Sequence, residues 1–322
     1  MEPFATDIFF EPSGDTPASC HAVKIVTAPK DGVDASRRPH NVIREVRILR
    51  RATHPNIIPL LEYSYSEPEH RLTFPLLPVT MANILEHAPS PEIFAHTALG
   101  LLSALEHLHS LDIAHRDVKP ANIMYSWDGT VQLIDFGTAW DGQGGDGGAG
   151  METQVGSGHY RAPELLFSET YDPRAIDLWS AGVTLAECFN IDLGADSDSS
   201  DSDDEIEGFQ LRRPPPRKLL FSAEFGEIGL AGSIFRVLGT PTEENWPLMF
   251  DPKPPRRLRD VLDVDEKQSL VIEGLVQLEA GRRLSAKDAL ALLPPAAEAE
   301  EQARPVLKRW IDHAEKKYEK LL

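Results

Sequence analysis

Apolar and polar positions alternate or recur in ways that divide the chain into strands first and helices later. Ile8-Phe9-Phe10 and Ala22-Val23-Lys24-Ile25-Val26 read as two short strands, with Pro12-Ser13-Gly14-Asp15 as turn chemistry between them. A helix is expected from about Pro39 to Arg51. Val42, Val46 and Leu49 share one face of it, and Pro39 suits its first turn. Residues 57 to 63 and 71 to 77 read as two more strands. From about Pro91 the pattern turns helical, with Phe94, Leu101, Leu105 and Leu108 marking a buried face. The segment from about Glu298 to Leu322 reads as one amphipathic helix with Leu307, Ile311, Ala314, Tyr318 and Leu322 near one face. It is expected to dock on the helices before it.

Two stretches resist such patterning. Gly142 to Gly150 is glycine-rich and is expected to be a flexible loop. Asp196 to Glu207 carries seven carboxylates and no basic residue, and Pro214-Pro215-Pro216 follows. Residues 194 to 218 are therefore expected to be a disordered acidic insertion. The predicted fold class is α+β and bilobal. A small β-rich lobe (1–80) precedes a larger, mostly helical lobe (81–295), and a C-terminal helix (296–322) follows. Substrates are expected between the lobes.

Composition narrows the function classes. A net charge of −19 over 322 residues argues against a nucleic-acid partner, which needs a basic face. No apolar run is long enough to span a bilayer, so no membrane association is expected. Cys20 and Cys188 are far apart with no metal-ligand spacing, which points to a reducing, intracellular setting.

The chemistry concentrates in Ile113-Ala114-His115-Arg116-Asp117-Val118-Lys119-Pro120-Ala121-Asn122, followed thirteen residues after Asn122 by Asp135-Phe136-Gly137. This pair of motifs resembles the catalytic loop and metal-binding loop of protein kinases. The resemblance implies transfer of the γ-phosphate of ATP with Mg2+. Asp117 would accept or orient the attacking hydroxyl's proton, Lys119 would neutralise charge on the transferred phosphate, and Asn122 and Asp135 would hold magnesium. Lys119, two residues past Asp117, is the Ser/Thr-type residue. Lys24, in Ala22-Val23-Lys24, matches the strand lysine that holds the α- and β-phosphates, with Glu45 on the following helix as its counter-charge. By itself such a lysine could equally belong to an ordinary edge strand, and Glu45 could be a surface carboxylate. Thr53-His54-Pro55-Asn56-Ile57-Ile58 downstream fixes the register that joins them. Ala162-Pro163-Glu164 and Arg283 match a structural ion pair, and Asp177 an anchor of the catalytic loop.

Within kinases the chain most resembles the cyclin-dependent branch. Pro39-His40-Asn41-Val42-Ile43-Arg44-Glu45 is similar to the cyclin-contacting motif P-S-T-A-I-R-E. Tyr160 to Leu166 matches that branch's segment end, and Leu238 to Pro247 its insert in the helical lobe. The sequence also departs from the branch. Counting seventeen residues back from Lys24 reaches Asp7, and no glycine-rich phosphate loop is found there. The first strand and its loop are expected to be deleted, or the chain to be an incomplete gene product. Glu152 stands where the branch carries a phosphothreonine, and Trp140 replaces one of the three arginines that grip its phosphate; Arg44 and Arg116 match the other two. The missing glycine loop, Glu152 and the segment Val155-Gly156-Ser157-Gly158-His159 resemble the monomeric CDK-activating kinases of fungi, whose glycine loop can be degenerate. That resemblance implies a protein substrate that is another cyclin-dependent kinase, in the nucleus or cytoplasm. The charge of Glu152 and the arginine lost at Trp140 lead to a further expectation, that the isolated chain is active without a cyclin and without phosphorylation at Thr153, with Glu152 pairing to Arg116 and Arg44. Two alternatives stay open: a conventional kinase that binds a cyclin through Pro39 to Glu45, and a pseudokinase scaffold.

Overall fold

The computed structural model describes residues 6–14, 16–30, 40–86, 88–142, 152–168, 170–191, 219–239 and 258–320. Strands β1 (Thr6–Glu11) and β2 (His21–Thr27) pair antiparallel, with Phe10 opposite Ala22. Helix α1 (Val42–Arg51) follows, then strands β3 (Glu62–Ser66) and β4 (Glu69–Pro75). The first sheet has the order β1-β2-β4-β3, which puts Lys24 in an inner strand opposite Leu72. Strand β5 (Val79–Thr80) leaves that sheet and starts a second one. Helices α2 (Met81–Leu85) and α3 (Phe94–Ser110) come next. Strands β6 (Ile123–Tyr125) and β7 (Val131–Leu133) then complete the second sheet in the order β5-β6-β7. The elements described after β7 are helices: α4 (Glu164–Phe167), α5 (Pro173–Ala186), α6 (Gly226–Leu238), α7 (Glu266–Leu275), α8 (Ala286–Leu290) and α9 (Ala296–Tyr318). A β-sheet N-terminal region on a helical C-terminal part is the bilobal α+β arrangement. No helix among the described residues is long and apolar enough to cross a membrane.

The helical core forms around α3 and α5. Leu101, Leu105 and Leu108 are buried as their spacing requires, and Trp179 of α5 stacks on Phe221 at 5.3 Å. In α1 the face of Val42, Val46 and Leu49 is buried as expected. The helix begins at Val42, however, later than the sequence pattern suggests. The Asn41 side chain accepts from the backbone N–H of Arg44 at 2.8 Å and caps the helix there. Pro39 lies outside the described residues.

The strand expected over 57 to 63 is displaced. Only Glu62 and Tyr63 of that stretch are in β3. Ile57 and Ile58 are buried for another reason: Ile57 forms a parallel bridge with Leu133, and the N–H of Ile58 donates to the Leu133 carbonyl at 3.1 Å. An apolar pair buried against the second sheet leaves the same mark in sequence as a strand of the first. The strand expected over 71 to 77 runs from 69 to 75 instead. The insertion at 194–218 and residues 143–150 of the glycine-rich stretch lie outside the described residues, as does most of the Leu238 to Pro247 segment.

Helix α9 docks on α3. Its end reaches further, to the first sheet. The Tyr318 ring stacks on Phe10 of β1 at 5.8 Å and meets the edge of Trp127 at 6.1 Å. Trp127 in turn donates from Nε1 to the carbonyl of Leu76, in the link between β4 and β5, at 2.8 Å.

Candidate active site

The loop between α3 and β6 is built on Asp177, a fully buried carboxylate of α5. It accepts from the backbone N–H groups of His115 (2.8 Å) and Arg116 (2.7 Å) and from Nε2 of His109 (3.1 Å). A carboxylate buried this deeply needs such donors to offset its desolvation. Arg116 is held at φ 66°, a left-handed conformation unusual for a side chain of its size. His115 donates from Nε2 to the Ile134 carbonyl (2.9 Å) and packs edge-on against Phe136 at 4.8 Å, which ties this loop to Asp135-Phe136-Gly137.

Asp117 sits at the tip. Its Oδ2 accepts from Lys119 Nζ at 2.8 Å and from Asn122 Nδ2 at 3.1 Å. Asn122 also donates to the Asp117 carbonyl at 2.8 Å, so it turns its amide nitrogen, not its oxygen, towards Asp117. Ser157, from the segment before α4, donates to Asp117 Oδ1 at 2.8 Å and accepts from Lys119 at 2.7 Å. Both carboxylate oxygens are therefore oriented, and Oδ1, with one donor against the two on Oδ2, keeps a lone pair for an incoming hydroxyl.

Across the cleft, Lys24 of β2 meets two carboxylates. Its Nζ lies 2.8 Å from Glu45 Oε1 and 3.0 Å from Glu45 Oε2, and 2.9 Å from Asp135 Oδ1. Burial alone would lower the Lys24 ammonium, but Glu45 and Asp135 overcome this and hold it above its ordinary value. Burial pushes the Glu45 carboxyl upward, and Lys24 opposes that push. Asp135 also feels a raising effect of burial, but Lys24 outweighs it and holds the carboxyl down at about 2. Asp135 takes φ 60°, a second left-handed residue at the site. A cavity of about 240 Å³ lies against Lys24, Val26, Asn41, Glu45 and Gly137.

The donor set suits a hard cation. Asp135 is ionised and its side chain is 42% exposed, and the Asn122 oxygen is not used on Asp117. Two protein oxygens are what magnesium takes when phosphates and waters complete its shell. No group of three or more His, Cys, Asp or Glu side chains poised for a metal occurs among the described residues, so a metal cage made by the protein alone is not seen there.

All six residues singled out from sequence thus gather in two adjoining clusters: Lys24, Glu45 and Asp135 in one, Asp117, Lys119 and Asn122 in the other. The motif reading missed Ser157 and His109. Ser157 lies in a segment noted only as a variant, and nothing local marks its contact with a residue 40 positions earlier.

The segment that precedes α4 differs from expectation. The Glu152 carboxylate accepts from the N–H of Gln154 at 3.0 Å rather than pairing with Arg116. Its place beside Arg116 is taken by Tyr171, whose hydroxyl donates to the Glu152 carbonyl (2.7 Å) and accepts from Arg116 Nη1 (3.5 Å). A side chain two residues from its backbone donor pays little entropy to be ordered, which favours this local contact over a reach to the arginine. Trp140 contributes backbone instead of charge, bridging Ala114 through hydrogen bonds of 2.8 and 2.9 Å. Glu164 and Arg283 form the expected pair, buried and bidentate at 2.5 and 2.8 Å.

A family model described as "Protein kinase domain" matches residues 15–292 of the chain. Cyclin-dependent kinase 4 of Mus musculus is 30% identical over 291 residues, covering 84% of this chain and 85% of the relative. The proteins of the same name from Rattus norvegicus and Bos taurus match to the same extent.

Proposed function

Because the chain belongs to the protein kinase domain family, we propose that it transfers the γ-phosphate of ATP to a serine or threonine of a protein substrate. The observation that carries this reading is the double engagement of Lys24, bound at once to Glu45 and Asp135. It sets a fixed ammonium beside an ionised, accessible carboxylate, with Asp117 in the adjoining cluster.

In this reading Asp117 accepts a hydrogen bond from the substrate hydroxyl, aims its oxygen at the phosphorus and holds the proton as it leaves. Lys119, fixed between Asp117 and Ser157, places a positive charge beside the negative charge on the transferred phosphoryl oxygens. Lys24 binds the α- and β-phosphates, and Glu45 keeps its ammonium in place. Asp135 and Asn122 would hold magnesium, which when bound neutralises charge between the β- and γ-phosphates. The test is magnesium-dependent ATP turnover with a generic protein substrate, against Asp117→Asn. Turnover unchanged in that variant removes the reading, and turnover absent from both favours a scaffold.

The substrate we propose is the activation loop of another cyclin-dependent kinase, as in the CDK-activating kinases that the sequence resembles. Glu152 and the Val155 to His159 segment support it, and a nuclear or cytoplasmic location goes with it. Phosphate incorporation into the activation-loop threonine of an inactive cyclin-dependent kinase tests it, and labelling elsewhere argues against it. Adding a cyclin to the same assay tests the runner-up, a cyclin bound through the Pro39 to Glu45 region. A large rise in turnover favours it.

A further inference from the structure

Glu45 can hold Lys24 only if α1 has the right rotation about its axis and the right distance from the sheet. The structure fastens α1 at both ends to the chain that follows Asp135. At its start, the N–H of Asn41 donates to the carbonyl of Gly137 at 3.2 Å. In its second half, Arg47 donates from Nε and Nη2 to the two oxygens of Asp141, at 2.8 and 2.9 Å. Nη1 of Arg51, one turn on, lies 3.6 Å from the same carboxylate. The Asp141 side chain is fully buried, whereas those of Arg47 and Arg51 are 39% and 38% exposed.

Two geometric facts give this arrangement its consequence. A bidentate guanidinium–carboxylate pair fixes direction as well as distance. Glu45 and Arg47 also stand about 200° apart around the helix axis. Contacts on opposed sides of a helix stop it from rolling, which a contact on one side cannot do. The burial cost of a carboxylate largely offsets the attraction in such a pair, so its effect falls on the orientation of α1 more than on net stability.

We propose that Asp141 is a positioning residue for phosphoryl transfer: through Arg47 and Arg51 it holds α1 in the rotation that presents Glu45 to Lys24. This needs neither a second chain nor an added phosphate. It rests on the kinase reading of Lys24 and Glu45, and the test separates the two.

The purified full chain, with no other protein added, is compared with Asp141→Asn, Arg47→Gln, Glu45→Gln and the double variant Asp141→Asn/Glu45→Gln. The readouts are Kd for magnesium–ADP, KM and kcat for ATP, and hydrogen exchange over Val42 to Arg51. Asp141→Asn is expected to weaken nucleotide binding about tenfold, within the range of coupling between sites, and to speed exchange in α1. Its effect on nucleotide should vanish in the Glu45→Gln background, because it acts through that residue. Arg47→Gln, changed from the solvent side, should reproduce the single variant and covers the case in which Asp141→Asn does not fold. The proposal is overturned if these variants lower Tm while nucleotide Kd and α1 exchange stay as in wild type. Effects that multiply in the double variant also overturn it, as does an α1 that is protected only after a cyclin is added. Wild type with no turnover above Asp117→Asn refutes the kinase reading alone, since α1 exchange still decides the role of Asp141.

Discussion

The hydroxyl of Ser157 donates to Asp117 Oδ1 at 2.8 Å while accepting from Lys119 at 2.7 Å, so one side chain from the segment before α4 aligns both Asp117 and Lys119. Ser157→Ala leaves Asp117 free to rotate and Lys119 without its second contact. Small misplacements at a reacting centre cost up to about 10²-fold. We expect kcat to fall by about that factor with KM for ATP little changed, and Ser157→Thr to restore most of it. Steady-state kinetics decide, and an Ala variant with wild-type kcat removes Ser157 from the site.

Asp135 should be needed for turnover but not for folding. Its carboxyl is held down at about 2 by Lys24. A depressed carboxyl contributes stability above its ordinary pKa of about 4 and loses it as the pH falls through the folded value. Because the side chain is 42% exposed, solvent screens the contribution and the effect on Tm is small. Asp135→Asn should abolish magnesium-dependent turnover. Its Tm difference from wild type should be constant above about pH 5 and shrink towards about pH 2. A gap that widens on acidification contradicts the sign.

The Glu164–Arg283 pair makes a different prediction, one of stability alone. Arg283 is fully buried, donates also to the carbonyls of Ala175 and Gln277, and lies 5.1 Å from the Trp179 ring. Replacing it with Met strands a buried carboxylate. Breaking such a pair costs about 3–5 kcal/mol, and chemical denaturation should show a loss of that size. Replacing both partners with apolar residues should cost much less.

Tyr318 links α9 to β1 through Phe10. An aromatic pair is worth about 0.5–1.5 kcal/mol beyond its burial. A double-mutant cycle of Phe10→Leu and Tyr318→Leu should therefore return a coupling of that order. A coupling near zero shows that the C-terminal helix is not energetically tied to the first sheet.

Glu152 makes its contact with Gln154, two residues away, so Glu152→Ala should lower kcat by less than about threefold, the scale of a surface substitution. A much larger loss restores the view that its carboxylate stands in for a phosphate. The measurement is turnover of the unphosphorylated chain.

The sequence by itself determined the parts whose geometry is local. His115 to Asn122 and Asp135 to Gly137 each fit within one loop, so spacing nearly fixes which side chains face the cleft. The buried faces of α1 and α3 follow from helical periodicity, which packing had only to accept. The tertiary structure decided what depends on distant segments meeting. Ile57 and Ile58 are apolar whether they lie in the first sheet or against Leu133, and only the packing of the two sheets chooses. Ser157 reaches Asp117 and Asp141 reaches Arg47 across 40 and 94 residues, and nothing in the residues flanking either one specifies its partner. The charge of Glu152 suits a pairing with Arg116, yet the carboxylate bonds to Gln154 instead. A backbone donor two residues away won, because a contact that closes a short loop costs less chain entropy than one that must be brought from across the site.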